Sequence, residues 1–228
     1  MFLAGPRLLY AGPIFSFNLI VNGDAEAGAG AANDSSIVPV PGWTTNGNFT
    51  AVQYNAPGGF PTSSDPGPSN RGSNFFAGGP SNASSSASQI IDVSMGAAAI
   101  DTGGVTFDLA GVLGGFDGQG DNAVLTTTFL SVSNMNLGTA SIGPVTLADR
   151  NGFTGLLSRS TAGSLPVGTR EIDVVLQMTR LAGSYNDGYA DNLALVLTTP
   201  VPEPSTLALL GTGLLGLLLH GWRRGKSM

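Results

Sequence analysis

An all-β fold, a two-sheet antiparallel sandwich of jelly-roll type, is what the sequence predicts for the body of this chain, and three observations predict it. First, 34 Gly and 14 Pro in 228 residues, with only 11% charged and 42% hydrophobic residues, make the chain too apolar for disorder and too rich in turn formers for a helical bundle. Second, hydrophobic residues recur with a period of two: Val105, Phe107 and Leu109, and later Ile172, Val174, Leu176 and Met178. Third, these runs are short and separated by Gly, Pro, Asn, Ser and Asp clusters. Roughly seven to nine strands at irregular spacing suit two packed sheets.

In chain order, Asn18-Leu19-Ile20-Val21-Asn22-Gly23 reads as a short strand entering a turn that holds Asp24, Ala25 and Glu26. Pro41-Gly42-Trp43-Thr44 is a turn and strand start, and 49–54 is a strand. Residues 55–88 are loop-like, with a short paired strand at Asn74-Phe75-Phe76. Strands follow at 89–93, 105–109, 123–132, 143–147 and 171–181, and around Leu193, Leu195 and Leu197. The body spans 18–199. Residues 1–17 are apolar but interrupted by Pro6, Gly12 and Pro13, which fits either a poor or truncated signal peptide or a leader read from a misplaced start codon.

Charge is segregated along the chain. Before Glu203 there are 14 Asp and Glu against six Arg and no Lys; from Glu203 onward there are three basic residues and one acid. An acidic body offers no footprint for a phosphate backbone, so nucleic acid is excluded as a partner, and divalent cations or neutral glycans suit it better. The absence of Cys removes thiolate metal sites and Cys nucleophiles, and the single His, His220, lies far from the body, so no Ser-His-Asp arrangement forms there. A non-enzymatic protein is expected.

Residues 200–228 form a separate tail. Val201-Pro202-Glu203-Pro204-Ser205 breaks regular structure twice, Ser205 is a good N-cap, and from Thr206 to Leu219 every residue is Leu, Ala, Gly or Thr. A helix over about 205–222 would be about 27 Å long, near the thickness of a bilayer's hydrocarbon core. Trp222 suits the interface, and Arg223, Arg224 and Lys226 would stay cytoplasmic, which puts the body on the far side. The Pro-Glu-Pro triplet, apolar run and basic end together resemble the PEP-CTERM sorting signal of exported bacterial proteins. That resemblance implies export, transient anchoring in the inner membrane, and processing near Pro202, Glu203 and Pro204 by an exosortase-type transpeptidase.

The body carries a second resemblance. Asn22-Gly23-Asp24-Ala25-Glu26 with Pro41-Gly42-Trp43, and Asp187-Gly188-Tyr189-Ala190-Asp191-Asn192-Leu193, are similar to galactose-binding-like jelly rolls such as carbohydrate-binding modules. The resemblance implies a structural Ca²⁺ shared by Glu26 and Asp191; the alternative reading places Glu26 in a turn and has Asp191 accept hydrogen bonds from turn backbone. For a glycan, Tyr185 and Tyr189 are the candidate stacking rings. The stretch Asp117-Gly118-Gln119-Gly120-Asp121-Asn122 lacks the ligand pattern of a calcium loop and reads as a plain strand connection, in which Asp117 and Asp121 should tolerate Asn without loss of stability.

The function expected from these readings is an exported surface or extracellular-matrix protein with an adhesive or structural role, in contact with extracellular polysaccharide. A carbohydrate-binding module for a defined glycan, and a surface protein whose tail stays in the membrane uncut, are the alternatives.

Overall fold

The computed structural model describes residues 14–200 and, ahead of them, the two-residue strand Arg7–Leu8. Its strands are β1 (Arg7–Leu8), β2 (Thr44–Asn46), β3 (Thr50–Gln53), β4 (Asn74–Pro80), β5 (Ser84–Asp92), β6 (Thr106–Gly115), β7 (Asn122–Leu130), β8 (Asn136–Ile142), β9 (Gly155–Ser164), β10 (Glu171–Thr179) and β11 (Tyr185–Thr198). Between β5 and β6 a 3-10 turn (Ser94–Gly96) runs into one helical turn, α1 (Ala97–Ile100), which seats Ile100 in the core. Sheet A has the order β1-β5-β10-β7-β8, with β2 and β1 following one another along the same edge of β5; sheet B has the order β3-β4-β11-β6-β9. All pairings are antiparallel except β1 with β5. The expected two-sheet, all-β sandwich is therefore what the chain forms.

Alternation places the main core. Ala123, Leu125, Thr127 and Phe129 of β7 and Ile172, Val174, Leu176 and Met178 of β10 are buried, while every residue between them is half-exposed. Sheet B answers with Phe107, Leu109 and Leu113 of β6 and Leu193, Leu195 and Leu197 of β11. Each such side chain contributes about 1.5–3 kcal/mol by leaving water. Trp43 closes one end, edge-on to Phe76 at 5.7 Å, its indole N–H donating to the Asn22 carbonyl.

Sheet B is also buried on its outer face. Residues 74–79, 111–115 and 186–191 are buried without alternation, because segment 54–73 crosses that face and builds a second core from Val52, Tyr54, Phe60, Phe75, Leu156 and Tyr189. Arg71 holds the segment in shape. Its guanidinium donates to the carbonyls of Thr62, Asp65 and Pro68 and lies 5.3 Å over the Tyr54 ring. The Leu156 N–H, in turn, donates to Pro66 O.

Several boundaries differ from those expected. Residues 143–147 are not a strand; the strand before them, β8, spans Asn136–Ile142. The segment 18–23 makes one bridge, Asn18 to Val196, rather than a strand. β5 begins at Ser84, within the stretch expected as loop, because its outward Ser residues pair with β10 and carry no hydrophobic signal. β9 was not expected at all: it is an edge strand whose exposed residues are Ser158, Ser160, Ala162 and Ser164. No helix among the described residues is long and apolar enough to cross a membrane. The span expected at 205–222, the processing motif, Trp222 and the basic end lie outside the described residues, as does most of the leader.

Candidate functional site: a polar cleft beside buried carboxylates

The turn that follows Leu19 and Ile20 presents Glu26 to the start of β4, where its Oε1 accepts the N–H groups of Ser73 (2.8 Å) and Asn74 (2.7 Å). Gly72 makes room for this contact. It sits at φ +62°, and a Cβ there would lie 2.5 Å from Oε1. Asp191, on β11, is fully buried; its Oδ2 accepts the Tyr54 hydroxyl at 2.7 Å and its Oδ1 the Asn192 N–H at 2.7 Å. Burial pushes the Asp191 carboxyl up to about 7, against the pull of the Tyr54 and Asn192 hydrogen bonds and with the Glu26 and Asp24 charges adding to the rise.

Glu26 thus lies close enough to Asp191 for its charge to act on that carboxyl. Tyr54 links them, since its hydroxyl holds Asp191 while its N–H donates to Ser73 O, in the backbone that Glu26 caps. The described residues contain no group of three or more His, Cys, Asp or Glu able to hold a metal ion. A calcium ion here would draw on these two carboxylates, with backbone carbonyls and water completing its shell.

The two tyrosines expected as stacking rings belong to the outer core. Tyr189 is fully buried, 5.1 Å from Phe75, and donates its hydroxyl to Asp187 Oδ1 at 2.6 Å; half-buried Tyr185 packs edge-on against Phe60 at 5.2 Å. Neither offers its ring to solvent as a platform. The physical reason is the cover: segment 54–73 supplies Phe60, whose ring packs on both, at 5.2 Å from Tyr185 and 6.3 Å from Tyr189.

The 117–122 stretch is the expected strand connection, between β6 and β7, but Asp121 within it has more partners than expected. Asp121 is buried, and its carboxylate accepts three backbone N–H groups, from Leu181 (2.6 Å), Ala182 (2.9 Å) and Asp187 (2.9 Å). It pins the β10–β11 turn to the start of β7, so the Asp121 side chain carries structure, whereas exposed Asp117 is held by its backbone. Buried Arg150 lies alongside, donating to the carbonyls of Asp117, Gln119 and Phe153. Asp187, between them, is pushed up to about 6, chiefly by burial.

A cleft of about 390 Å³ opens beside the Glu26–Asp191 pair, lined by Asn18, Asn22, Asp24, Asn70 and Asn192 with Ile20 at its floor. Its shape follows from the β11 bulge: register shifts between Asp191 and Ala194, and Asn192 takes the left-handed conformation, φ +50°, that Asn tolerates. Asn18 and Asn22 use their amides on the backbone of Leu193, Ile20, Leu195, Pro41 and Ala27. Asn192 donates to Asn70 Oδ1 at 3.1 Å, and exposed Asp24, whose Oδ1 accepts the Glu26 N–H at 3.4 Å, adds a carboxylate to the lining. A neighbouring cleft of about 320 Å³ over β6 and β9 shares Asn192. The asparagines signalled turns in the sequence; their convergence depends on the bulge, which had no signal.

Residues 200–224 match the PEP-CTERM protein-sorting motif. The sorting motif read from the Pro-Glu-Pro triplet, apolar run and basic end is therefore present. A comparison with curated proteins finds no match. Among solved structures, the chain is similar to the enzymatically active domain of tailspike protein 4 of bacteriophage CBA120, at 16% identity and a TM-score of 0.47, over 79% of this chain and 21% of that one. It is also similar to a family 16 carbohydrate-binding module, at 18% identity and a TM-score of 0.47 over 78% and 99% of the two chains. A third is the C-terminal family 22 carbohydrate-binding module of Clostridium thermocellum Xyn10B, at 13% identity and a TM-score of 0.40 over 72% and 91%. This chain spans about a fifth of the length of the tailspike chain.

Proposed function

We propose that the chain is an exported, non-enzymatic surface or extracellular-matrix protein, whose β-sandwich body is delivered by a cleavable tail and acts by adhesion or as a structural component. The sorting motif carries this reading, because it begins at residue 200, directly after the last strand of the body ends at Thr198. In this reading the 205–222 helix holds the chain in the inner membrane, Trp222, Arg223, Arg224 and Lys226 set its orientation, and an exosortase-type transpeptidase cuts near Pro202, Glu203 and Pro204. The test is the intact mass of protein recovered from membrane and extracellular fractions of the producing organism. An extracellular form ending near residues 202–204 supports it; full-length protein found only in the membrane means a permanent anchor and removes the processing step.

A second reading, glycan recognition by a galactose-binding-like jelly roll, is favoured by the amide-lined cleft. Asn70, Asn192 and Asp24 present donors and acceptors suited to neutral hydroxyls, without the stacking rings such sites usually use. Titration calorimetry with soluble polysaccharides tests it: sub-millimolar binding lost in Asn192→Ala supports the cleft, and no binding to any saccharide sinks it. A structural Ca²⁺ at Glu26 and Asp191 has its own signature. Because the ion competes with the proton on Asp191, millimolar Ca²⁺ should raise the melting temperature at pH 8 and much less at pH 5. No shift at either pH rules the ion out.

A further inference from the structure

Four of the strands at the sheet edges are short, irregular or covered. β1 and β2 have two and three residues; β3 has four and is bridged to Ala31; β8 has a register shift against β7. The remaining edge, β9, is ten residues long, pairs with β6 in unbroken register from Gly155–Gly115 to Ser164–Thr106, contains no Pro, and carries one charge, Arg159. Proteins ordinarily blunt such an edge with charge, Pro or a bulge.

Which groups the edge leaves open follows from one hydrogen bond. The Leu156 N–H donates to Pro66, away from β6, so the N–H and C=O of every second residue onward, Ser158, Ser160, Ala162 and Ser164, also point outward. Among the described residues no strand pairs with them. Their side chains are small and exposed.

We propose that β9 is a self-association edge, which pairs antiparallel with β9 of a second copy about a two-fold axis at Thr161. This register uses all four outward-pointing residues: Ser158 faces the other copy's Ser164, and Ser160 its Ala162, each as a hydrogen-bonded pair. A two-fold centred one residue earlier, at Ser160, would leave Ser164 without a partner. The Thr161 register also places Arg159 opposite Gly163, so the edge's single charge meets no like charge and no side-chain bulk; Arg159 keeps its own Asp149 partner at 3.2 Å. The Ser158 carbonyl, which Arg159 also approaches at 3.1 Å, retains a second lone pair for the new strand. The result joins sheet B of two copies into one continuous sheet through an isologous interface.

The absence of native Cys makes the test clean. In this register Thr161 faces its own copy as a non-hydrogen-bonded pair, with Cα atoms about 4.5 Å apart, within reach of a disulfide. Full-length Thr161→Cys should therefore give a disulfide-linked dimer under mild oxidation. Val132→Cys, at a site 86% exposed and away from the edge, should give at most a tenth of that yield. Adding Ser160→Pro to Thr161→Cys removes an N–H that β6 does not use, so the body still folds, and the cross-link should fall at least tenfold. The proposal is overturned if Thr161→Cys cross-links no better than Val132→Cys, or if Ser160→Pro leaves its yield unchanged.

Discussion

The outer faces of the two sheets are built from similar strands and end up in opposite environments. On sheet A, Ser86, Ser88, Thr126, Thr128, Val175 and Gln177 stand half-exposed in cross-strand rows, with no segment of the described chain laid over them. On sheet B, segment 54–73 turns the equivalent face into a second core and closes over Asp191 with Tyr54, while Asp187 is buried on the same strand beside Tyr189. A sandwich of this size therefore need not keep its ionisable groups at the surface. A cover clamped by Arg71 lets sheet B hold two buried carboxylates within β11, each on a tyrosine hydroxyl, while the acids within the strands of sheet A, Asp92, Glu171 and Asp173, stay half-buried, Asp173 being pushed up by burial.

Phe75→Ala strikes the covered face at its centre. If the outer core is packed like the inner one, the substitution costs about 3–5 kcal/mol in urea unfolding. A loss below about 1 kcal/mol would mean that the cover is loosely seated.

The buried acids give the next largest effect, with a definite sign. Asp191 and Asp187, raised to about 7 and about 6, hold protons in the folded state that the unfolded chain releases near the ordinary carboxyl value of 3.8. Their contribution is therefore full below about pH 4 and is lost as pH rises through about 7, a decline of several kcal/mol. Asp101 and Asp149, lowered by their hydrogen bonds and arginine partners, act in the opposite sense at lower pH, from exposed positions. Stability measured from pH 5 to pH 8 should fall, and Asp191→Asn should flatten the slope.

Asp121→Asn tests the rim of the covered face. It removes the charge from an acceptor of three N–H groups and turns one of its oxygens into a donor, and should cost about 2 kcal/mol, whereas Asp117→Asn should leave the melting temperature unchanged. The smallest effect belongs to the open face. Val175→Thr on sheet A should stay within about 0.5 kcal/mol, and a larger loss would show that something packs there.

Sequence legibility followed this division between open and covered surfaces. Strands β7 and β10, buried on one face, display the period of two in full, and their residues were placed from sequence with boundaries off by two residues at most. Strands buried on both faces, or on an edge, lose that period. The second half of β6 reads Gly-Val-Leu-Gly-Gly, where Gly114 leaves space for the Gly155 carbonyl, and β9 shows no hydrophobic pattern at all. At the site, Glu26 and Asp191 were legible as polar residues in characteristic strings. The aromatic pair was misplaced because a ring in a polar-looking string reads the same whether a distant segment covers it or not.

The exit of the chain from the body has a mechanical consequence. β11 ends at Thr198, flanked along its last turns of pleat by β6 on one side and by the backbone of 16–23 on the other, and the sorting motif starts at residue 200. A load applied through the carboxyl end therefore runs along the axis of an interior strand. It strains the flanking hydrogen bonds together, in shear, rather than peeling them away one at a time from an edge.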